Sequence, residues 1–127
     1  MPCLDDLLRA ARARLDRLTP EDALAAMRRG ALIVDIRGDD QRRAGGLVPG
    51  ARVVARNVLE WRADPGSPWR DPALAAAGLL VLMCQQGYQS SLAAAVLLDL
   101  GVAATDMVGG FEAWRARGLP VRHAPPG

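Results

Sequence analysis

Lysine is absent from this chain of 127 residues; all 16 basic positions are arginine. That absence excludes Schiff-base chemistry on a lysine amine and any phosphate loop that depends on lysine. With the many Ala and Gly residues, it suggests a GC-rich coding sequence. Histidine occurs once, as His123 in a Pro-rich tail. The two cysteines, Cys3 and Cys84, lie far apart with no paired-ligand spacing, so no metal site is expected and no cofactor is invoked. Nor do two cysteines make a disulfide framework. No apolar run approaches the length of a membrane span, and Asp5, Asp6 and Arg9 interrupt the apolar residues that a signal peptide would need near the N-terminus. A reducing cytoplasm is the expected location, and it keeps a thiol available. The net charge of +2, with arginines scattered among acids, leaves no footprint for nucleic acid.

Half of the chain is apolar and 24% is charged, the balance of one ordinary soluble domain large enough to bury a core. Short apolar runs alternate with helical patterns, which gives the α/β class with a mainly parallel sheet. Strands are expected at Leu32–Asp35, Val53–Ala55, Leu79–Met83 and Thr105–Val108, with a fifth too short to locate. From Leu4 to Leu18, apolar residues recur at helical spacing with arginines between them. We read an amphipathic helix that packs on its own domain; Asp5, Asp6 and Asp16 argue against an anionic lipid partner. Thr19-Pro20-Glu21-Asp22 then starts a second helix, with Thr19 as N-cap and Pro20 in the first helical position.

The stretch Leu79 to Leu98 carries the chemistry. A five-residue apolar strand ends at Met83, Cys84 follows, and the polar loop Gln85-Gln86-Gly87-Tyr88-Gln89 leads into an Ala- and Leu-rich helix with Ser90 and Ser91 as N-cap candidates. A strand, tight loop and helix in that order aim backbone N–H groups and the positive end of the helix at whatever fills the loop. Here the occupant is a sulfur, and fixed N–H dipoles stabilise a thiolate or persulfide anion. Cys84 read alone is a small buried hydrophobe. The polar loop behind it has no packing rationale, and it makes the stretch a site. The expected anion is held by main-chain amides, with no cationic side chain nearby.

Asp35 and Arg37 fall where a buried strand reaches its carboxyl end, the edge that carries ligands in an open parallel sheet. They are expected to pair with each other rather than do chemistry. The segment from Asp64-Pro65-Gly66 to Asp71-Pro72 reads as an irregular surface loop, pinned to the body by Trp61 and Trp69.

Val34-Asp35-Ile36-Arg37, Val48-Pro49-Gly50-Ala51, the Cys84 loop, and Gly109-Gly110-Phe111-Glu112-Ala113-Trp114 with Gly118-Leu119-Pro120-Val121 follow one another in that order. From about residue 19 to 121 the chain resembles a single-domain rhodanese-like sulfurtransferase. Residues 1–18, the amphipathic helix, lie outside the resemblance, and 122–127 form a tail. The resemblance implies a three-layer sandwich of four to five strands with helices on both faces. It implies that Cys84 is the nucleophile, taking a sulfane sulfur from thiosulfate or another donor and passing it to cyanide or a thiol. Gln85, Gln86, Gly87, Tyr88, Gln89 and Ser90 would cradle the substrate, and Asp35 and Arg37 would support the site. The implied protein is bacterial and cytoplasmic; its partners are a small sulfur donor and acceptor, without nucleic acid or membrane.

Two departures from the family pattern bear on substrate. Many members read Cys-x-x-Gly-x-Arg-Ser, and here Gln89 stands where that Arg would be and Gln85 where another is frequent. An anionic donor such as thiosulfate loses charge-assisted hydrogen bonds, which favours a less charged persulfide. Leu47 replaces a frequent His, with no chemical consequence identified. A Cys-dependent phosphatase places an Arg six residues after the Cys; Ser90 occupies that position, which argues against phosphoryl transfer and arsenate reduction. A thioredoxin-like role lacks its second nearby cysteine. The competing reading is a low-turnover rhodanese-like module that binds a partner or senses sulfur species.

Overall fold

A computed structural model describes residues 3–125. Four parallel strands, β1 (Leu32–Asp35), β2 (Arg52–Val53), β3 (Leu80–Met83) and β4 (Ala104–Asp106), form one sheet in the order β2-β1-β3-β4. Leu32 lies opposite Leu80 and Asp35 opposite Met83, while Leu82 faces Asp106. The carboxyl ends of β1, β3 and β4 therefore share one edge, and Asp35, Cys84 and Asp106 all stand on it.

Side-chain alternation along the strands divides the core into two layers. Val34, Leu80, Leu82 and Ala104 meet Leu59 and Ala63 of α4 (Leu59–Ala63), Leu74 of α5 (Pro72–Ala76), and Ala93, Ala94 and Leu97 of α6 (Gln89–Asp99). On the other face Ile33, Val81 and Met83 meet Ala23 of α2 (Pro20–Arg28) and Phe111 and Trp114 of α7 (Gly110–Ala116). This is the expected three-layer α/β sandwich. Among the described residues the other α-helices are α1 (Leu4–Arg12) and α3 (Asp39–Gly45), with a 3-10 turn at Arg56–Val58. Trp114 is fully buried, and its indole N–H donates to the Pro120 carbonyl at 2.8 Å, which fixes the turn after α7.

The N-terminal helix packs on its own domain, laying Leu8 and Ala11 against α6, and α6 is accordingly apolar around most of its circumference. It is shorter than its apolar periodicity predicts. The helix stops at Arg12, Leu15 reaches the core from the following turn, and Leu18 leaves helical geometry to pair with Met107 beside β4. Its N–H donates to the Asp106 carbonyl at 3.0 Å, and its carbonyl accepts from Val108 N–H at 2.8 Å. That pairing competes successfully with another helical turn, because it satisfies the edge of β4. Thr19 caps α2 as expected, its hydroxyl accepting from Asp22 N–H at 3.1 Å. Arg122, read as the start of the tail, forms a bridge with Leu47.

Two expectations for the connection after β2 need correction. Asp71 and Pro72 are not loop residues but the cap and first residue of α5, with the Asp71 carboxylate accepting from Ala73 N–H at 3.0 Å. Trp61 and Trp69 do not pin the loop; they are 55% and 68% exposed. The segment is held by Asp71 instead, whose N–H donates to the Arg62 carbonyl at 2.8 Å and whose carboxylate pairs with Arg52.

Candidate active site at Cys84

Cys84 leaves β3 at the carboxyl edge and is 8% exposed. Its Sγ accepts from Gly87 N–H at 3.1 Å and from Ser90 N–H at 3.4 Å, and lies 3.3 Å from the Ser90 hydroxyl. Gly87 turns the chain back over the sulfur at φ +85°, and a Cβ there would sit 2.7 Å from the Gly109 nitrogen. The sulfur fills the place of an N-cap acceptor. The helix starts at Gln89, so Ser90 and Ser91 are not caps but first-turn residues, both fully buried. Their hydroxyls go to a stronger acceptor, each donating to the Asp106 carboxylate at 2.8 Å.

The loop carbonyls are held from outside. Phe111 and Glu112 of α7 donate their N–H groups to the Cys84 and Gln85 carbonyls at 2.9 and 3.0 Å. Gly110 makes that approach possible, since a Cβ on it would meet the Cys84 carbonyl oxygen at 2.4 Å. On the other side the Gly87 carbonyl accepts from Arg12 Nη2 at 2.8 Å and from Arg17 Nη2 at 2.9 Å. In a planar trans peptide the N–H points opposite to the C=O. Pinning each carbonyl therefore turns the N–H that follows it, that of Gln85, Gln86 or Tyr88, away from the donor that holds that carbonyl.

Asp106 binds the network together. It is fully buried, and Arg17 grips it with Nε to Oδ1 at 2.8 Å and Nη2 to Oδ2 at 3.2 Å. Arg12 Nε donates to the Ser91 hydroxyl at 3.1 Å, and its guanidinium lies 5.4 Å from the centre of the Tyr88 ring. The expectation of a sulfur without cationic side chains nearby is thus corrected: two guanidiniums reach the back of the loop, neither of them from the loop itself. Asp106, Ser91, Arg12 and Arg17 were not read as site residues. The strand was expected over Thr105–Val108, with Asp106 inside it; it runs instead over Ala104–Asp106, which puts the acid at the strand's end as Asp35 is at the end of β1.

Asp35 and Arg37 pair as expected. Arg37 Nε and Nη2 hold the two carboxylate oxygens at 3.0 and 2.8 Å, Nη2 also donates to the Gly46 carbonyl at 2.8 Å, and both residues are buried. The guanidinium stacks 3.9 Å from the centre of the Phe111 ring. Arg37 touches the loop through Gln85, whose carboxamide accepts from Nη1 at 3.4 Å and donates to Glu112 at 3.3 Å. Gln85 is therefore a strut between β1 and α7. Gln86, Tyr88 and Gln89 form the exposed rim. A cleft of about 310 Å³ borders the loop beside Gln85, lined also by Asp40, Gln41, Ala44, Gly45 and Arg115.

Residues 19–117 match the family model described as rhodanese-like domain. The chain is 36% identical over 103 residues to thiosulfate sulfurtransferase GlpE of Stutzerimonas stutzeri, with 78% of this chain and 84% of that protein covered. With the protein of the same name from Pseudomonas putida it shares 38% over 105 residues, covering 79% and 84%. Among solved structures, it is similar to a protein of Rhodopseudomonas palustris described as of unknown function and a possible tyrosine phosphatase. The TM-score is 0.87 at 32% identity, with 96% of each chain covered. That share is larger than residues 19–127 could supply, so the similarity includes the N-terminal segment.

Proposed function

We propose that this chain, which belongs to the rhodanese-like domain family and is a sulfurtransferase of that family, carries the transferred sulfur as a persulfide on Cys84. The observation that supports this reading is the sulfur itself: it ends a buried strand and accepts two main-chain N–H groups at the start of α6. A thiolate there attacks the outer sulfur of the donor. With thiosulfate, a bond forms from Sγ to the sulfane sulfur, the bond to the sulfonate sulfur breaks, and the electron pair leaves with sulfite. With a low-molecular-weight persulfide, the departing group is a thiolate. The acceptor thiolate or cyanide then attacks the outer sulfur and Cys84 departs as a thiolate. The Gln85, Gln86 and Tyr88 N–H groups, turned from the outer donors, supply hydrogen bonds to the negative charge on that sulfur. A reducing cytoplasm, which keeps Cys84 free, is the compartment this chemistry fits.

The rim bears on the donor. Gln86, Tyr88 and Gln89 offer amides and a phenol but no charge, while Arg12 and Arg17 are engaged behind the loop. An uncharged rim favours a persulfide carried on an organic thiol over the thiosulfate dianion. Phosphoryl transfer, raised by the wording attached to the Rhodopseudomonas relative, is disfavoured here. The sixth residue after Cys84 is the buried Ser90, whose hydroxyl donates to Asp106, so the position that holds the phosphate-binding Arg in a Cys-dependent phosphatase offers no cation.

Mass spectrometry tests the assignment. After incubation with thiosulfate or with a low-molecular-weight persulfide, Cys84 is expected to gain one sulfur, about 32 Da, that cyanide removes. The persulfide should load the protein faster, and Cys84→Ala should stay unmodified. No adduct with either donor would leave the binding or sensing module as the better account.

A further inference from the structure

We propose that Arg12 and Arg17, which lie before the family-matched residues, are positioning residues for the Cys84 loop: they hold its Gly87 carbonyl and offset Asp106, so that Ser90 can serve a sulfur anion. The inference rests on the sulfurtransferase reading and adds to it a part for the N-terminal segment.

One hydroxyl links the sulfur to the carboxylate. Ser90 has a single hydroxyl proton and two neighbours that can take it, Cys84 Sγ at 3.3 Å and Asp106 Oδ2 at 2.8 Å. When the sulfur is a thiol, it donates to the Ser90 oxygen and Ser90 donates to Asp106. When the sulfur is an anion, the stabilising arrangement is the reverse, with Ser90 donating to sulfur. Asp106 can release that proton only if its other partners suffice. Arg17 supplies two N–H groups and a full charge, and Ser91 supplies another donor at 2.8 Å. Without Arg17, a buried carboxylate one hydroxyl away from the sulfur would retain the proton and repel the anion.

Arg12 and Arg17 act on geometry as well as charge. Both donate to the Gly87 carbonyl, whose residue supplies the 3.1 Å N–H to sulfur. The other charged groups around the loop do not duplicate them. Asp35 and Arg37 neutralise each other, Glu112 faces Gln85, Arg115 lies near the Phe111 ring in the cleft beside Gln85, and the first turn of α6 carries no charge. Tyr88, the remaining titratable group on the loop, is exposed under Arg12. Two guanidinium charges against the one carboxylate leave a positive charge behind the sulfur, in a loop with none of its own.

The test is steady-state and single-turnover kinetics on the full chain with the donor that loads it faster. Arg17→Met is expected to lower kcat about tenfold or more while the donor KM stays within about twofold, since the guanidinium faces away from the donor. The acid limb of its pH–rate profile should move up by about one pH unit. Arg17→Met combined with Asp106→Asn should return that limb toward wild type, because the uncompensated charge is gone. Arg12→Met should lower kcat and move the limb less than Arg17→Met does, since Arg12 does not touch Asp106. Arg14→Met, on the same segment but paired with exposed Asp99, should behave as wild type. An Arg17→Met protein that folds, with kcat and pH profile unchanged, would overturn the proposal. If Arg17→Met does not fold, the double variant and Arg12→Met decide it, and wild-type kcat in both would overturn it. A wild-type protein that forms no persulfide would instead sink the sulfurtransferase reading.

Discussion

Gly110→Ala isolates the contact between α7 and the sulfur loop. Gly110 has φ +61°, and a Cβ there would meet the Cys84 carbonyl oxygen at 2.4 Å and the Gln85 carbon and oxygen at 2.8 Å. All three are backbone atoms, so no rotamer change relieves them, and α7 must withdraw from the loop. An alanine in left-handed conformation costs about 1–2 kcal/mol. Weakening the Phe111 and Glu112 hydrogen bonds costs about 1 kcal/mol each, giving about 3–4 kcal/mol in all. A domain of this size is stable by about 5–15 kcal/mol, so the variant stays folded at room temperature, with Tm lowered by about 10–15 °C. Gly101→Ala is the control. It has φ +77° with nothing within 4 Å, so it should lose only the conformational part, about 5 °C, and retain full activity. Thermal melts and the rate of Cys84 persulfide formation are the readouts. Freed from Phe111 and Glu112, the loop no longer fixes the N–H groups of Gln85 and Gln86, and loading by either donor should fall at least tenfold. If Gly110→Ala melts with Gly101→Ala and loads at the wild-type rate, α7 does not hold the loop.

Two further substitutions probe charge. Gln89→Arg puts a guanidinium on the exposed first residue of α6, at the rim. For a screened surface charge worth about 1 kcal/mol, kcat/KM for thiosulfate should rise about fivefold and the gain should shrink with added salt. A cation at a helix N-terminus should also cost a few tenths of a kcal/mol in stability. No gain in a folded protein would mean that rim charge does not limit thiosulfate use. Asp71→Asn tests the anchor after β2. Hydrogen bonding to Arg52 is the main force holding the Asp71 carboxyl below its ordinary value of 3.8, opposed by burial and aided by the Ala73 amide and the charges of Arg52 and Arg62. A depressed carboxyl stabilises the fold above its unfolded value and loses that contribution as pH falls through the lower folded one. Asp71→Asn should therefore cost about 1 kcal/mol at neutral pH, with the Tm difference closing below about pH 3.8. A difference that persists undiminished into that acid range would show that the ion pair is not its source.

Much of the fold was legible because it rests on local chemistry. The apolar runs Leu32–Asp35 and Leu80–Met83 are covered on both faces, and burial of that kind leaves its pattern in the residues themselves. Thr19 and Pro20 start α2 by rules that span four residues. The misreadings arise where a local rule met a distant partner. Leu4 to Leu18 keeps helical spacing throughout, yet the helix yields at Arg12 because the edge of β4 offers Leu18 two main-chain hydrogen bonds. Ser90 and Ser91 have the composition of caps, but a buried carboxylate from β4 outbids the helix for their hydroxyls.

The site divides in the same way, and the two acids at the sheet edge show why. Asp35 and Asp106 both end buried strands, and a buried carboxylate needs a cation with good geometry. For Asp35 the cation is two residues along the chain, so the pair could be read from Asp35-Ile36-Arg37 alone. For Asp106 it is Arg17, 89 residues earlier, on a segment whose periodicity encodes a buried face but no partner. At Asp106 the strand was expected to run on to Val108, so neither the acid's place at the strand end nor its partner could be read from the neighbouring residues. With ten ion pairs found among the described residues, an arginine spaced between leucines has many carboxylates to choose from. What selects Asp106 is three-dimensional: Leu18 pairing beside β4 brings Arg17 within reach of the last residue of that strand, and of the Gly87 carbonyl beyond it.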